Sequence, residues 1–343
     1  MPELRHDPIQ KRWVIIATER NMRPNDFIIE PETDKATFCP FDEGHEDRTP
    51  PEIFAVRDPG SARNGPGWKL RVVSNKFPAL KIEGELDRRA VGLYDRMNGV
   101  GAHEVIIETT DHDAHMSDLP VEQLKQVLYA YRERLNDLRR DKRFKYVLLF
   151  KNHGQAAGAS LAHPHTQLIA TPVTPLTVAK ELQSAKDHFH LKERCLVCDI
   201  IAQELSSGER IIKATEQFVA FTPYASRFPF EIFLVPRTHH HDFGQISDYD
   251  THYLAEFLKD VMARLKVGLN DPPYNFLLHT SPNTTTSLHR SWYWNTIQYD
   301  WHWHLEIIPR LTRVAGFEWG SGFYINPTPP EQAAEYLREL ELT

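Results

Sequence analysis

"ASLAHPHTQLIATP" (Ala159–Pro172) carries two histidines, His163 and His165, on either side of a proline at the start of a short apolar run. In an extended chain, residues i and i+2 point to one face, roughly 6.5 Å apart, so the two imidazoles are neighbours on one surface. From a flat strand they stand too far apart to share one zinc comfortably, and the spacing gives them different jobs. Pro164 has no N–H for a ladder hydrogen bond, so the strand is at a sheet edge or is only beginning there. Two histidines at a strand start are as readily structural as chemical, but what precedes them tips the reading. Asn152, Gly154, Gly158 and Ser160 offer backbone N–H groups and small donors to an anion, as phosphate loops do. Gln167 falls on the same face again. Imidazole, glycine loop and amide donor together suit attack on phosphorus. Histidine takes a phosphoryl or nucleotidyl group on nitrogen and so splits one transfer into two easier displacements.

Outward from this stretch, the chain reads as an ordinary globular enzyme-sized protein. Its 343 residues allow roughly two domains. With 41% apolar and 25% charged residues it has ample material for a core. A net charge of -7 leaves no electrostatic footprint for nucleic acid. No apolar run reaches the roughly 18 residues needed to span a membrane. The opening "MPELRHDPIQKRW" has no apolar signal core, so a soluble, cytoplasmic protein is expected. Three cysteines are too few for a disulfide framework. Two of them form Cys195-x-x-Cys198, for which metal binding is the first expectation.

Strands are predicted at "RWVII", "WKLRVVS", "HEVIIET", "YVLLFKN" and the run after His163. Pro120 opens an amphipathic helix with Leu124, Val127, Leu128, Tyr131, Leu135 and Leu138 on one face. The pattern then returns. "HEVIIETTDH" (103–112) matches "FEIFLVPRTH" (230–239) at a constant shift of 127 residues, which also carries Leu119 onto Ile246. A second helix is predicted over Ser247–Leu265. "YVLLFKN" (146–152) matches "YNFLLHT" (274–280), and "HPHTQLIATP" (163–172) matches "HWHLEIIP" (302–309). Each half begins with a cysteine loop, "CPFD" at Cys39 and "CLVC" at Cys195. Matches in the same order imply an internal duplication: two similar α+β domains, 1–185 and 186–343. The second half lacks the glycine loop, having "HTSPNTTTSLHRSWYWNTIQYD" in its place. One active site per chain follows, with His304 not catalytic.

The run Asn152-x-Gly154-x-x-x-Gly158-x-Ser160-x-x-His163-Pro164-His165-x-Gln167 resembles the galactose-1-phosphate uridylyltransferases of the histidine triad superfamily. "YDWHWHLEIIPRLTRVAGFEWGSGFYINP" (299–327) is similar to their bacterial branch, and the likeness covers essentially the whole chain. The resemblance implies a duplicated histidine-triad fold of antiparallel sheets with flanking helices, assembled as a homodimer. It implies exchange of UMP between UDP-glucose and galactose 1-phosphate through a uridylyl-histidine. By position, His165 is then the nucleophile and Gln167 steadies the transferred phosphoryl group. Asn152, Gly158 and Ser160 contact phosphate and nucleotide. Arg20 and Arg23 are a basic pair near the nucleotide, and Asn75 and Phe77 contact base and ribose. The segment from Phe317 to Asn326 lines the sugar-phosphate pocket, although the lysine that other members bring there is missing.

The same resemblance implies metals. The first set is Cys39, Asp42, His112 and His163, with Asp42 where a second cysteine is usual. The second is Cys195, Cys198, His239 and His302, a Cys2His2 set suited to zinc. An alternative iron set of Glu181, His279, His302 and His304 competes for His302. Two other functions stay open. A similar plant branch shares "NDPPYN" and "YINP" and acts on ADP-glucose with phosphate as acceptor. A nucleotide-binding protein without turnover is the non-enzyme reading.

Overall fold

The computed structural model describes residues 1–19, 26–27, 38–285 and 294–342. In chain order the strands and helices are β1 (Glu3–Asp7), β2 (Arg12–Ile16), β3 (Glu52–Arg57), β4 (Trp68–Ser74), β5 (Arg89–Val91), β6 (Tyr94–Arg96), β7 (Ala102–Ile107), α1 (Val121–Leu138), β8 (Tyr146–His153) and β9 (His165–Thr171). There follow α2 (Leu176–Lys192), α3 (Leu196–Ser207), β10 (Ile211–Ala214), β11 (Phe218–Phe221), β12 (Ile232–Pro236), α4 (Asp248–Gly268), β13 (Tyr274–His279), α5 (Ile297–Asp300), β14 (His304–Pro309), α6 (Gly316–Ser321), β15 (Tyr324–Asn326) and α7 (Pro330–Glu339). No helix among the described residues is long and apolar enough to cross a membrane.

Ten strands join in one sheet, ordered β10-β11-β12-β14-β13-β8-β9-β7-β4-β3. Read outward from its middle pair the order is symmetric: β13 answers β8, β14 answers β9, β12 answers β7, β11 answers β4 and β10 answers β3. Each half therefore contributes five strands in the same connectivity, as the repeat implies. The halves meet where β8 and β13 pair antiparallel, with Asn275 opposite Asn152 and Tyr274 opposite His153. Residue 185 falls inside α2, the helix that leads from one half into the other. Beside the large sheet, β15 lies parallel to β2, returning the C-terminal segment to the N-terminal hairpin.

Alternation along the strands sorts the two faces. Thr166, Leu168 and Ala170 point to α1, whose stripe Leu124, Val127, Leu128, Tyr131, Leu135 and Leu138 is fully buried. The matching helix α4 packs on the same face, capped by the Ser247 hydroxyl accepting from the Asp250 N–H at 3.0 Å. The other face is covered by α2 over Tyr146, by α3 over Val219, Phe221, Phe233 and Val235, and by Phe41 over Val105 and Ile107. His165 and Gln167 lie on this second face.

Pro164 marks the start of β9 and not an edge: β9 runs between β7 and β8 in the sheet interior. Behind it, on the α1 face, Lys151 Nζ donates to Glu108 Oε2 at 2.7 Å, both side chains no more than 2% exposed. Thr166 and Tyr131 also donate to Glu108. The carboxyl of Glu108 lies below the usual range: burial opposes its charge, but Lys151 outweighs it. Lys151→Met strands this charge, and an uncompensated buried partner costs about 3–5 kcal/mol. Guanidinium unfolding is expected to show that loss, with most of it restored when Glu108→Gln is added. Equal stability of parent and Lys151→Met would show that the pair contributes nothing.

Candidate active site and metal clusters

His165 is the first residue of β9 and only 6% exposed, and this burial pushes its pKa down to about 4. It is therefore neutral at physiological pH. Its Nδ1 lies 2.7 Å from the backbone oxygen of His163. A carbonyl only accepts, so Nδ1 carries the proton and Nε2 keeps its lone pair. A neutral imidazole locked in that tautomer is a nucleophile. Phe41 packs its edge against both His165 and His163, at 5.3 and 6.2 Å between ring centres.

Gln167, two residues on, is oriented by a chain of contacts absent from the sequence-level expectation. The Ala79 N–H donates to His103 Nδ1 at 3.3 Å, so His103 carries its proton on Nε2 and donates to Gln167 Oε1 at 2.8 Å. With its oxygen anchored, Gln167 has its NH2 end left to donate. Asn75 Nδ2 lies 3.1 Å from the same His103 nitrogen, and Asn75 Oδ1 accepts from the Phe77 N–H at 2.9 Å. Phe77 itself stands 84% exposed. His103 was not singled out from sequence; its place in β7, opposite Ile169 and so diagonal to Gln167 on the same face of β9, is the signal that could have found it.

The glycine loop follows β8. Gly154 and Gly158 adopt φ of 79° and 91°, a region open to glycine at little cost, and this lets the chain turn back at once. The loop is braced from the other half: Asn275 Nδ2 donates to Asn152 Oδ1 at 2.9 Å and to the Ala157 oxygen at 2.8 Å. Asn275 too was missed. Ser160 and Gly158 are exposed, and the Gly158 N–H is spent within the loop, donating to the Gln155 oxygen at 2.9 Å. Arg20 and Arg23 lie outside the described residues.

The C-terminal segment is arranged otherwise than expected. Asn326 is fully buried; its Nδ2 donates to the backbone oxygens of Ser226 and Phe228, and its Oδ1 accepts from the Thr328 N–H. Every polar group of that amide is used inside the fold, so in this chain it clips β15 in place. Phe317 is half exposed on α6, its ring against Phe323.

Two four-residue clusters lie on the His165 face. Cys195, Cys198, His239 and His302 bring their donor atoms within 4.8 Å of one another, as do Cys39, Asp42, His112 and His163. Cys198 Sγ is 3.4 Å from His239 Nδ1 and 3.5 Å from His302 Nδ1. The Cys195 thiol and the two imidazoles hold the Cys198 thiol down at about 3. Both rings anchor their other nitrogen on a backbone oxygen, His239 on Gln298 and His302 on Pro236. That fixed tautomer with Nδ1 offered inward is how metal-binding histidines are oriented, and two thiols with two imidazoles suit zinc. In the first cluster His163 does the same, Nε2 to the Thr109 oxygen at 2.8 Å and Nδ1 to Asp42 at 3.0 Å. The shift of 127 residues carries Thr109 onto Pro236. The Asp42 carboxyl lies below its usual range; burial opposes this, and the His112 and His163 imidazoles prevail.

The alternative iron set does not assemble as expected. Glu181, His279 and His304 do meet, but the fourth member is Glu306, because His302 precedes β14 and turns to Cys198. That cluster compensates its own charges. His279 Nδ1 lies 2.7 Å from Glu181, Gln10 donates to Glu181, and Arg227 bridges Glu306 and Glu231. His304 repeats the nucleophile's geometry, Nδ1 3.1 Å from the His302 oxygen. It is 1% exposed and stacked on Phe233 at 4.4 Å.

A duplicated α+β sheet with a His-x-His strand in each half is the histidine-triad-like fold. Within that fold the chain belongs to the galactose-1-phosphate uridylyltransferase family: residues 1–175 match the family's N-terminal domain and residues 181–343 its C-terminal domain. It is therefore an enzyme of the nucleotidyltransferase class. The chain is 38% identical over 347 residues to ADP-glucose phosphorylase of Arabidopsis thaliana, spanning 100% of this chain and 94% of that protein. It is 27% identical over 350 residues to galactose-1-phosphate uridylyltransferase of Thermotoga maritima, spanning 100% and 99%. A crystal structure of the Arabidopsis ADP-glucose phosphorylase with bound ADP-glucose matches with a TM-score of 0.84 at 36% identity over 100% of both chains. A uridylyltransferase structure matches with a TM-score of 0.73 at 27% identity over 98% of this chain and 97% of that one.

Proposed function

We propose that this enzyme transfers a nucleoside monophosphate through His165. The observation that carries the reading is the His165 Nδ1 contact with the His163 oxygen, which leaves a neutral Nε2 as nucleophile. Nε2 attacks the α-phosphorus of a nucleoside-diphosphate sugar. An N–P bond forms, the bond to the sugar-phosphate oxygen breaks, and hexose 1-phosphate leaves. A second phosphate oxygen then attacks the same phosphorus and His165 is restored. Gln167, held by His103, and the exposed Ser160 hydroxyl donate to the phosphoryl oxygens as charge develops.

The nucleoside we assign is adenosine, with ADP-glucose as donor and inorganic phosphate as acceptor. The 38% identity to the Arabidopsis phosphorylase against 27% to the Thermotoga uridylyltransferase supports this choice. A second reading, exchange of UMP between UDP-glucose and galactose 1-phosphate, is favoured by the family's own description. Zinc held by Cys195, Cys198, His239 and His302, and by Cys39, Asp42, His112 and His163, would cross-link loops to strands and take no part in the transfer. ADP-glucose and UDP-glucose, each labelled on the α-phosphorus, separate the readings. The denatured chain should retain label from ADP-glucose faster than from UDP-glucose, in a bond lost in mild acid and kept in base. Faster labelling by UDP-glucose makes the enzyme a uridylyltransferase. No retained label from either removes the covalent mechanism.

A further inference from the structure

On the face of the sheet away from His165, a third group of donors converges from both halves of the chain. His115 lies in the loop between β7 and α1, His153 ends β8, and Asp271 sits in the turn between α4 and β13. Their donor atoms lie within 4.8 Å of one another. His115 Nδ1 is 3.3 Å and His153 Nε2 3.4 Å from the same oxygen, Asp271 Oδ1. An imidazolium–carboxylate hydrogen bond is shorter, about 2.7–2.9 Å. A separation near 3.3 Å is instead the edge of a tetrahedron whose centre lies about 2.0–2.1 Å from each nitrogen and oxygen. The contacts of Cys198 with His239 and His302, at 3.4 and 3.5 Å, obey the same rule.

The surroundings are built for this. His115 Nδ1 is buried and has no hydrogen-bond partner. His153 is held flat against Tyr274, ring centres 4.9 Å apart. Asp118 secures the His115 turn by accepting from its N–H at 3.0 Å. It also accepts from Lys266 Nζ at 2.8 and 2.7 Å, offsetting a nearby cation that would repel an ion.

We propose that His115, His153 and Asp271 bind a divalent transition-metal ion, separate from the cysteine-containing clusters. Two imidazoles and one carboxylate suit zinc or its borderline neighbours, and the half-exposed position leaves a fourth place for water. His153 immediately precedes Gly154, so the ion would tie the root of the glycine loop to the turn before β13.

The test counts zinc on the full-length protein after equilibrium dialysis against the metal. Asp271→Asn and His153→Gln should each hold one equivalent fewer than the parent. Asn tolerates the φ of 55° at position 271, so the turn is kept. With Co2+ in place of zinc, both variants should lose a ligand-field component of the visible spectrum while the thiolate-to-cobalt absorption stays whole. If Asp271→Asn does not fold, His153→Gln carries the test alone. Equal metal content and identical cobalt spectra in the parent and the folded variants would overturn the proposal.

Discussion

His165→Asn is expected to abolish both transfer and covalent labelling while leaving the fold and metal content of the parent. Asn cannot form the N–P bond, so the loss should exceed the roughly 10²–10⁴-fold typical of removing a general acid or base. The ring of His165 packs on Phe41 and, among the described residues, bonds only to the His163 oxygen, so its removal costs little structure. His163→Asn acts elsewhere. It breaks contacts to Asp42 and to the Thr109 oxygen, so stability and metal content should fall while some labelling survives. A His163→Asn protein as stable as the parent yet unable to be labelled would move His163 into the chemistry.

Cys198→Ser carries the second large effect. Free energies of about 10–16 kcal/mol accompany structural zinc binding in small domains, and that binding energy is folding energy. In this larger chain we expect loss of one zinc and a fall in melting midpoint of roughly 10 °C, from several kcal/mol removed. Asp42→Ala should cost less, because Asp42 is a third exposed and its cluster has one thiol in place of two. Calorimetry beside elemental analysis decides it. Iron retained after both Cys195 and Cys198 are replaced would shift the centre to Glu181 and His279.

What could be read from the sequence is what repeats or alternates. The His-x-His strands, the cysteine loops and the two long helices recur in one order, and that order places the two Cys/His clusters. The seam was invisible, because the register of β8 against β13 joins residues far apart in sequence. For the same reason the propping of the glycine loop by Asn275 carries no local signature. Alternation also misled at the histidine pairs. His163 and His302 stand just before β9 and β14 begin, so their rings turn to the two cysteine-containing clusters while His165 and His304 obey the pleat. That is why Glu306, two residues beyond His304 on the same face, occupies the place foreseen for His302. Asn326 was expected at the sugar-phosphate pocket, but only the tertiary fold shows its amide spent on backbone groups.

The hydrogen bonds from Asn275 across the central seam bear on how this duplicated chain can drift over time. One half carries His165, the histidine proposed as nucleophile; the other stacks its own His304 on Phe233 and braces its twin's loop through Asn275. Selection can therefore act on the second copy through the loop that it braces. A lineage can lose the reaction through damage in the half that does no chemistry, and the two copies are no longer interchangeable ancestors of one another.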